Sequence, residues 1–275
     1  MPSAIRHTPS DVRHRPNRLA VAAAALSVVV ILLIAAVPPH APLAKADQVG
    51  YAFCHRIPER SFFLNGRQLP LCARCTGTFL GAMLGLAVIL LRRRGRASHM
   101  PPPAVLVMLI AFMGLWAFDG LNSYLTFFPG VPHLYEPRNW LRMSTGMLNG
   151  LAMVTFVFPI FSFTLWCEPA AERVVKNVGE LAAILPVAAL IVLVVQAQVG
   201  FLLYPVALLS SLEVLLLLAL LNSMITAIVL GREGMAQTWR QALVPLSTGL
   251  ALALLQIAAL DLLRDWLVAR FGLPF

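Results

Sequence analysis

LCARCTGTFLGAMLGLAVILLRRRGR, residues 71–96, is the stretch from which the fold is read. Leu71–Leu91 carries a single charge, Arg74, and is followed at once by Arg92, Arg93, Arg94 and Arg96. A helix rises about 1.5 Å per residue and the hydrocarbon core of a bilayer is about 30 Å thick, so a run of this length spans it. The arginine block stops the run and, because lysine and arginine in short loops favour the cytoplasm, also orients it. The same stretch opens on a C-x-x-C pair, which places chemistry at the opposite end of the helix from the arginines.

Working outward, six further apolar runs of comparable length appear: Leu19–Val37, Ala104–Leu121, Trp140–Phe161, Leu181–Leu203, Pro205–Leu230 and Ala242–Leu263. The 275 residues are 59% hydrophobic and 12% charged, with a mean hydropathy of +0.81. Soluble domains carry about twice that share of charge. The sequence therefore predicts an all-α, polytopic transmembrane bundle of about seven helices over residues 19–275, with the lipid bilayer as its partner. Residues 1–18, rich in Arg, Ser, Pro and His, read as a disordered basic cytoplasmic tail. The first run is either an anchor or a signal peptide, since Ala44-Lys45-Ala46 has the small-x-small form of a cleavage site. Pro38, Pro39 and Pro42 are expected to end the first helix and extend the chain.

Alternation from the arginine block puts the N-terminus, Glu168–Lys176 and Arg232–Arg240 in the cytoplasm of a cell whose plasma membrane the chain spans. Residues 38–70, 122–139 and the turn near Tyr204 then lie outside. Arg138 and Arg142 sit against this bias, which calls for a local reason such as binding or ion pairing. The formal net charge of +9 comes from short clusters beside apolar runs, and no recognition helix or stacking module accompanies it, so nucleic acid is not an expected partner.

The outer loop at 38–76 concentrates the polar chemistry. Cys54, His55, Cys72 and Cys75 fall within it, and the C-x-x-C pair belongs to the first turn of a helix, where the positive dipole end and Arg74 favour thiolate. One chemistry that fits is a zinc ion held by Cys54, His55, Cys72 and Cys75, in which C-x₂-C supplies the compact bite. Neighbouring side chains on extended chain point apart, so His133 is an alternative to His55. A second is a redox pair, Cys72 and Cys75, with Cys54 as resolving thiol; in such a membrane thiol–disulfide oxidoreductase the electrons would pass to a quinone. The third is a structural disulfide from Cys54 to one of the pair. A haem site is disfavoured because Thr76 stands where C-x-x-C-H needs histidine. Cys167 reads as an ordinary packing residue.

At these residues the sequence resembles a prokaryotic multi-pass membrane family, domain of unknown function 2085. The likeness is carried by Cys54-His55, Pro58-Glu59-Arg60-Ser61-Phe62-Phe63, Gly66 and Cys72-Ala73-Arg74-Cys75-Thr76-Gly77, with Asp119-Gly120-Leu121-Asn122 and Arg142-Met143-Ser144-Thr145-Gly146 as weaker support. It covers roughly residues 50–152, and Asn122 and Arg56 depart from the pattern. The resemblance implies a bacterial or archaeal membrane protein and brings no reaction with it.

Asp119, Arg138 and Arg142, and with them Glu213 and Asp261 at outer helix ends, are expected to share the level of the cysteines. An ionised group inside a bilayer costs at least about 2.5 kcal/mol, so Asp119 is expected to find a partner, Arg142 or Arg74. Asp119 and Arg142 are the catalytic candidates, as base and anion holder; Arg60, Arg74 and Arg138 are anion or ion-pair candidates. An arginine-lined pocket of this kind suits a transporter or lipid-handling protein, whereas a lone buried Asp–Arg pair would only fix helix packing. The sequence leaves open whether the protein is an enzyme. Gly77, Gly81 and Gly85, and Gly146 and Gly150, form small-residue stripes that predict close helix contact. No Walker loop, dinucleotide fingerprint, serine-hydrolase elbow or H-E-x-x-H motif is present.

Overall fold

The computed structural model describes residues 18–128 and 130–272. Eight helices account for most of them: α1 (Arg18–Ala36), α2 (Pro42–Phe53), α3 (Ala73–Leu91), α4 (Pro103–Leu125), α5 (Asn139–Leu165), α6 (Val178–Gln196), α7 (Leu203–Val229) and α8 (Trp239–Phe271). Six of these, α3 to α8, are long and apolar enough to cross a membrane, and α1 is apolar over Ala24–Ala36. Their outer faces need lipid: Val107, Leu190, Leu193, Ile225 and Leu262 each leave more than half of their surface uncovered.

The centre of the bundle is α5, packed against α3, α4, α6 and α7. Its closest neighbour is α3, and the glycine stripes explain why. A Cβ on Gly77 or Gly81 would run into the carbonyls of Met143 and Met147; one on Gly146 or Gly150 would meet those of Arg74 and Thr78. Bare backbone on both helices lets them approach to van der Waals contact, the usual source of helix association where no hydrophobic effect operates. Pro159, Pro186 and Pro245 sit within α5, α6 and α8, where local adjustment and neighbouring helices make a missing N–H tolerable.

The two ends of the bundle are built differently. At one end, β3 (Ala97–His99) pairs in parallel with β4 (Ala170–Arg173), and a bridge joins Trp166 to Ala236. The arginine block, 168–176 and 232–240 therefore lie together, as alternation requires. Arg94 grips Glu180 at the start of α6 through two 2.7 Å bonds.

The other end carries the cysteines, and here the expectation of an extended loop at 38–76 needs correction. Pro42 starts a helix rather than extending the chain, because proline fits the first helical position, where no N–H bond is needed. After α2 comes a single turn at Pro58–Arg60 and then a hairpin, β1 (Phe63–Leu64) with β2 (Arg67–Gln68). Asn65 and Gly66 form its two-residue turn with φ of 52° and 72°, the positive values that Asn-Gly supplies most readily. Phe62, Leu64, Leu69 and Leu71 are all buried beneath it, which ties the segment onto α6 and α7 rather than leaving it in solvent.

Candidate thiolate site and arginine network

Cys54 ends α2, and its N–H bonds the carbonyl of Gly50 at 2.9 Å. Gly50 lies so close to Pro70 that any Cβ there would collide with the Pro70 carbonyl. That approach brings Cys54 against the start of α3, where Cys72 is the N-cap and Cys75 sits in the first turn. The three sulfurs lie within 4.8 Å of one another, and the Cys72 N–H donates to the Cys54 sulfur at 3.2 Å. All four cysteines of the chain are free. Hydrogen bonds from the Cys72 and Cys75 thiols hold the Cys54 thiol far below its ordinary value, against the effect of burial. Giving that hydrogen bond to Cys54 raises the Cys72 thiol.

Around the sulfurs the packing is apolar, from Val49, Leu71, Val214 and Ile257. Arg264 of α8 clamps the turn: its guanidinium donates to the carbonyls of Tyr51 and Cys54, the latter at 2.8 Å, and lies 4.1 Å from the centre of the Tyr51 ring. Beside it a pocket of about 210 Å³ opens, lined by Phe53, Cys54, His55, Leu263, Arg264 and Leu267 among others. His55 is exposed and is not one of the three converging ligands. The chain is extended at Cys54, so adjacent side chains diverge. Nor does His133 replace it, being bonded to Glu136 at 2.9 Å.

Arg74, between the two cysteines, points to the other side of α3 and meets Asp119 of α4 at 2.5 Å. Of the two expected partners, Arg74 is thus the one that Asp119 takes. Tyr135 donates its hydroxyl to the same carboxylate at 2.8 Å, and burial together with that bond pushes the Tyr135 phenol up to about 12. Arg142 instead binds Ser123, with Nε and Nη2 at 3.1 and 2.9 Å from its hydroxyl, and Asn139 at 2.8 Å. Arg60 reaches the same serine from the Pro58–Arg60 turn, donating to its carbonyl at 3.0 Å and to the Thr126 hydroxyl at 3.1 Å.

Not every expected residue joins. The Arg138 side chain is exposed, and the residue contributes its carbonyl, which accepts the Arg142 N–H. Glu213 is fully buried on α7, and neither of its carboxyl oxygens, nor Oδ1 of Asp261, has a hydrogen-bond partner among the described residues. Ser123, Tyr135, Asn139 and Arg264 were not singled out from sequence. Ser123 and Tyr135 carry no spacing signal, because their partners are far along the chain; Arg264, a cation directly after an apolar run, was the visible one.

A multi-pass helical membrane protein with a three-thiol cluster at one end of the bundle is the class that this fold and site define. The comparisons with known proteins fall in the same place. Residues 54–156 match the family described as predicted membrane protein (DUF2085). An uncharacterised protein of Methanocaldococcus jannaschii is 31% identical over 108 residues, 39% of this chain and 63% of the relative. One from Methanothermobacter thermautotrophicus is 31% identical over 100 residues, 36% of this chain and 79% of the relative. The chain belongs to the DUF2085 family of predicted membrane proteins. It spans less than two thirds of the first of these relatives. No solved structure matches the chain.

Proposed function

We propose that Cys54, Cys72 and Cys75 bind a zinc ion at the extracytoplasmic face of a multi-pass plasma-membrane protein. The observation that carries this reading is the convergence of three sulfurs, from two separate segments, to within 4.8 Å of one another. Thiolates are soft ligands that select zinc over hard divalent ions, and a C-x₂-C bite on a helix start is a recurrent zinc arrangement. The positive end of α3 and the Cys72 N–H both stabilise negative sulfur before any ion arrives. Burial among Val49, Leu71 and Val214 excludes water that would otherwise compete for the ligands.

Closed structural zinc sites use four protein ligands, whereas three leave a position for water or a substrate. With His55 at the rim of the Cys54 pocket and outside the converging set, the site fits the open type. Zinc bound there would supply Lewis acidity at its free position. The chain's own residues set what reaches it: Arg264 holds the Cys54 turn by its carbonyl, and Phe53, Leu263 and Leu267 make the pocket wall apolar.

Protein purified in neutral detergent is expected to contain about one zinc per chain, and Cys54→Ser or Cys72→Ser to lose it. Absence of stoichiometric zinc from the unsubstituted protein ends the metal reading. Thiol–disulfide exchange is the second reading, favoured by a third thiol within reach of the C-x-x-C pair. Thiol trapping in intact cells separates the two: sulfurs that switch between free and bonded states as the medium is oxidised or reduced, in protein without zinc, belong to an oxidoreductase.

A further inference from the structure

Ser123, on the last turn of α4, is shared by two cations. Its hydroxyl accepts both Nε and Nη2 of Arg142, and its carbonyl accepts Nη2 of Arg60. Arg142 is 6% exposed, yet its side-chain partners, Ser123 and Asn139, are neutral. Those of Arg60 are neutral too: the Ser123 carbonyl, the Thr126 hydroxyl and the ring of Phe127, 3.7 Å below it. Asp119, the buried carboxylate of the network, is taken up by Arg74 and Tyr135, and Glu59, the other carboxylate that acts on Arg60, is exposed. Three guanidiniums against the buried Asp119 leave a formal charge of two positive units, and the exposed Glu59 is screened by water.

The thiols do not balance this. Cys72 lies close enough to act electrostatically on both Arg60 and Arg142. Even so, three thiolates around a zinc ion carry one net negative charge, the same as a lone Cys54 thiolate in the metal-free cluster. Among the buried groups a positive unit remains in either state, and the α5 N-terminus, where Arg142 sits in the first turn, adds to it. Desolvating an uncompensated charge costs several kcal/mol, so a counter-anion is called for. Planar guanidiniums suit the oxygens of phosphate above other oxyanions in a membrane. The depth agrees. Tyr124 and Trp140 flank this corner, 56% and 46% exposed, and tyrosine and tryptophan gather at the headgroup level.

We propose that Arg60 and Arg142, bridged by Ser123, form a phosphate-binding site at the interfacial end of α4 and α5, distinct from the thiol cluster. The phosphate is that of an anionic lipid headgroup or a free phosphate ion. Among the described residues, Nε and Nη1 of Arg60 are used by no hydrogen bond and are the donors left to meet it.

The full chain purified in a neutral maltoside, in buffer without phosphate, gives the test, read by melting temperature and native mass spectrometry. One arm adds phosphatidylglycerol, a second inorganic phosphate, and a third chloride at matched ionic strength. Stabilisation in the first arm alone assigns the lipid, in the second alone the free ion, and in both the shared chemistry; chloride is expected to do nothing. Arg60→Gln, at a half-buried side chain whose hydrogen-bond partners are neutral, is expected to bind about tenfold more weakly with its zinc content unchanged. Arg142→Lys keeps the charge, loses the fork, and is expected to fall between the two. Neither additive binding, chloride stabilising as well as phosphate, or Arg60→Gln and Arg142→Lys both matching the unsubstituted protein would overturn the site. Because zinc is counted separately, this outcome is independent of the metal reading.

Discussion

Arg94 at one end of the bundle and Arg142 at the other are each 6% exposed, but their surroundings differ in kind. Arg94 holds Glu180 through two bonds, and Glu172 lies 3.4 Å from it. Arg92 and Lys176 complete a network in which three cations share two carboxylates and each cation meets at least one. At the cysteine end Arg60 and Arg142 bond no carboxylate, and serine, threonine and asparagine oxygens stand in. Neutral oxygens satisfy hydrogen-bond geometry without cancelling charge. The first end is therefore built to hold α3, α6 and the loop strands together, while the second retains the electrostatic pull that a site needs.

The sharpest way to break this contrast is at the matched end. Glu180→Ala leaves Arg94 buried with only the Val174 carbonyl and the more distant Glu172, and also removes the acceptor for the Lys176 N–H. A loss of about 3 kcal/mol or more, read as thermal unfolding in detergent, is expected; a loss below about 1 kcal/mol would mean that the pair is solvated and the contrast false. Gly150→Ala tests the α3–α5 contact that joins the ends, since its Cβ would land on the Thr78 carbonyl and the Ala82 N–H. It is expected to cost about 1–3 kcal/mol and to loosen the Arg74–Asp119 contact with it. A Gly50→Ala variant acts on the cysteine end alone: it pushes α2 away from Pro70, and zinc content is expected to fall while the Arg94 cluster keeps its protection from hydrogen exchange. The smallest effect is expected from Tyr135→Phe. With its phenol pushed up from 10.0 to about 12, Tyr135 favours the fold fully below pH 10, and this contribution fades as the pH rises through about 12. Melting curves of the Phe variant should lack that alkaline slope.

Much of this was legible in the residues. Charge-free runs of spanning length, the arginine block and the glycine spacing led to a polytopic bundle, to loops grouped by alternation and to close α3–α5 contact. Cys54, Cys72 and Cys75 were recognisable as a set because C-x-x-C at a helix start is a local signal. Less was drawn from Asn65-Gly66, although that pair is a strong hairpin marker, and Pro42 was read as a breaker when it is equally a helix starter. His55 was placed in the ligand set by adjacency, which geometry at an extended residue opposes.

The sequence by itself determined the class of fold, since the length and apolarity of a helix needed in lipid are properties of a single segment. It also determined where thiol chemistry concentrates, through spacing within one turn. Only the tertiary structure decided which charges meet. Arg74 rather than Arg142 takes Asp119, and Ser123 bridges Arg60 and Arg142, because pairing depends on the rotation and level of separate helices. Those are fixed by how closely α3 and α5 approach across their glycines, a contact that no single segment contains.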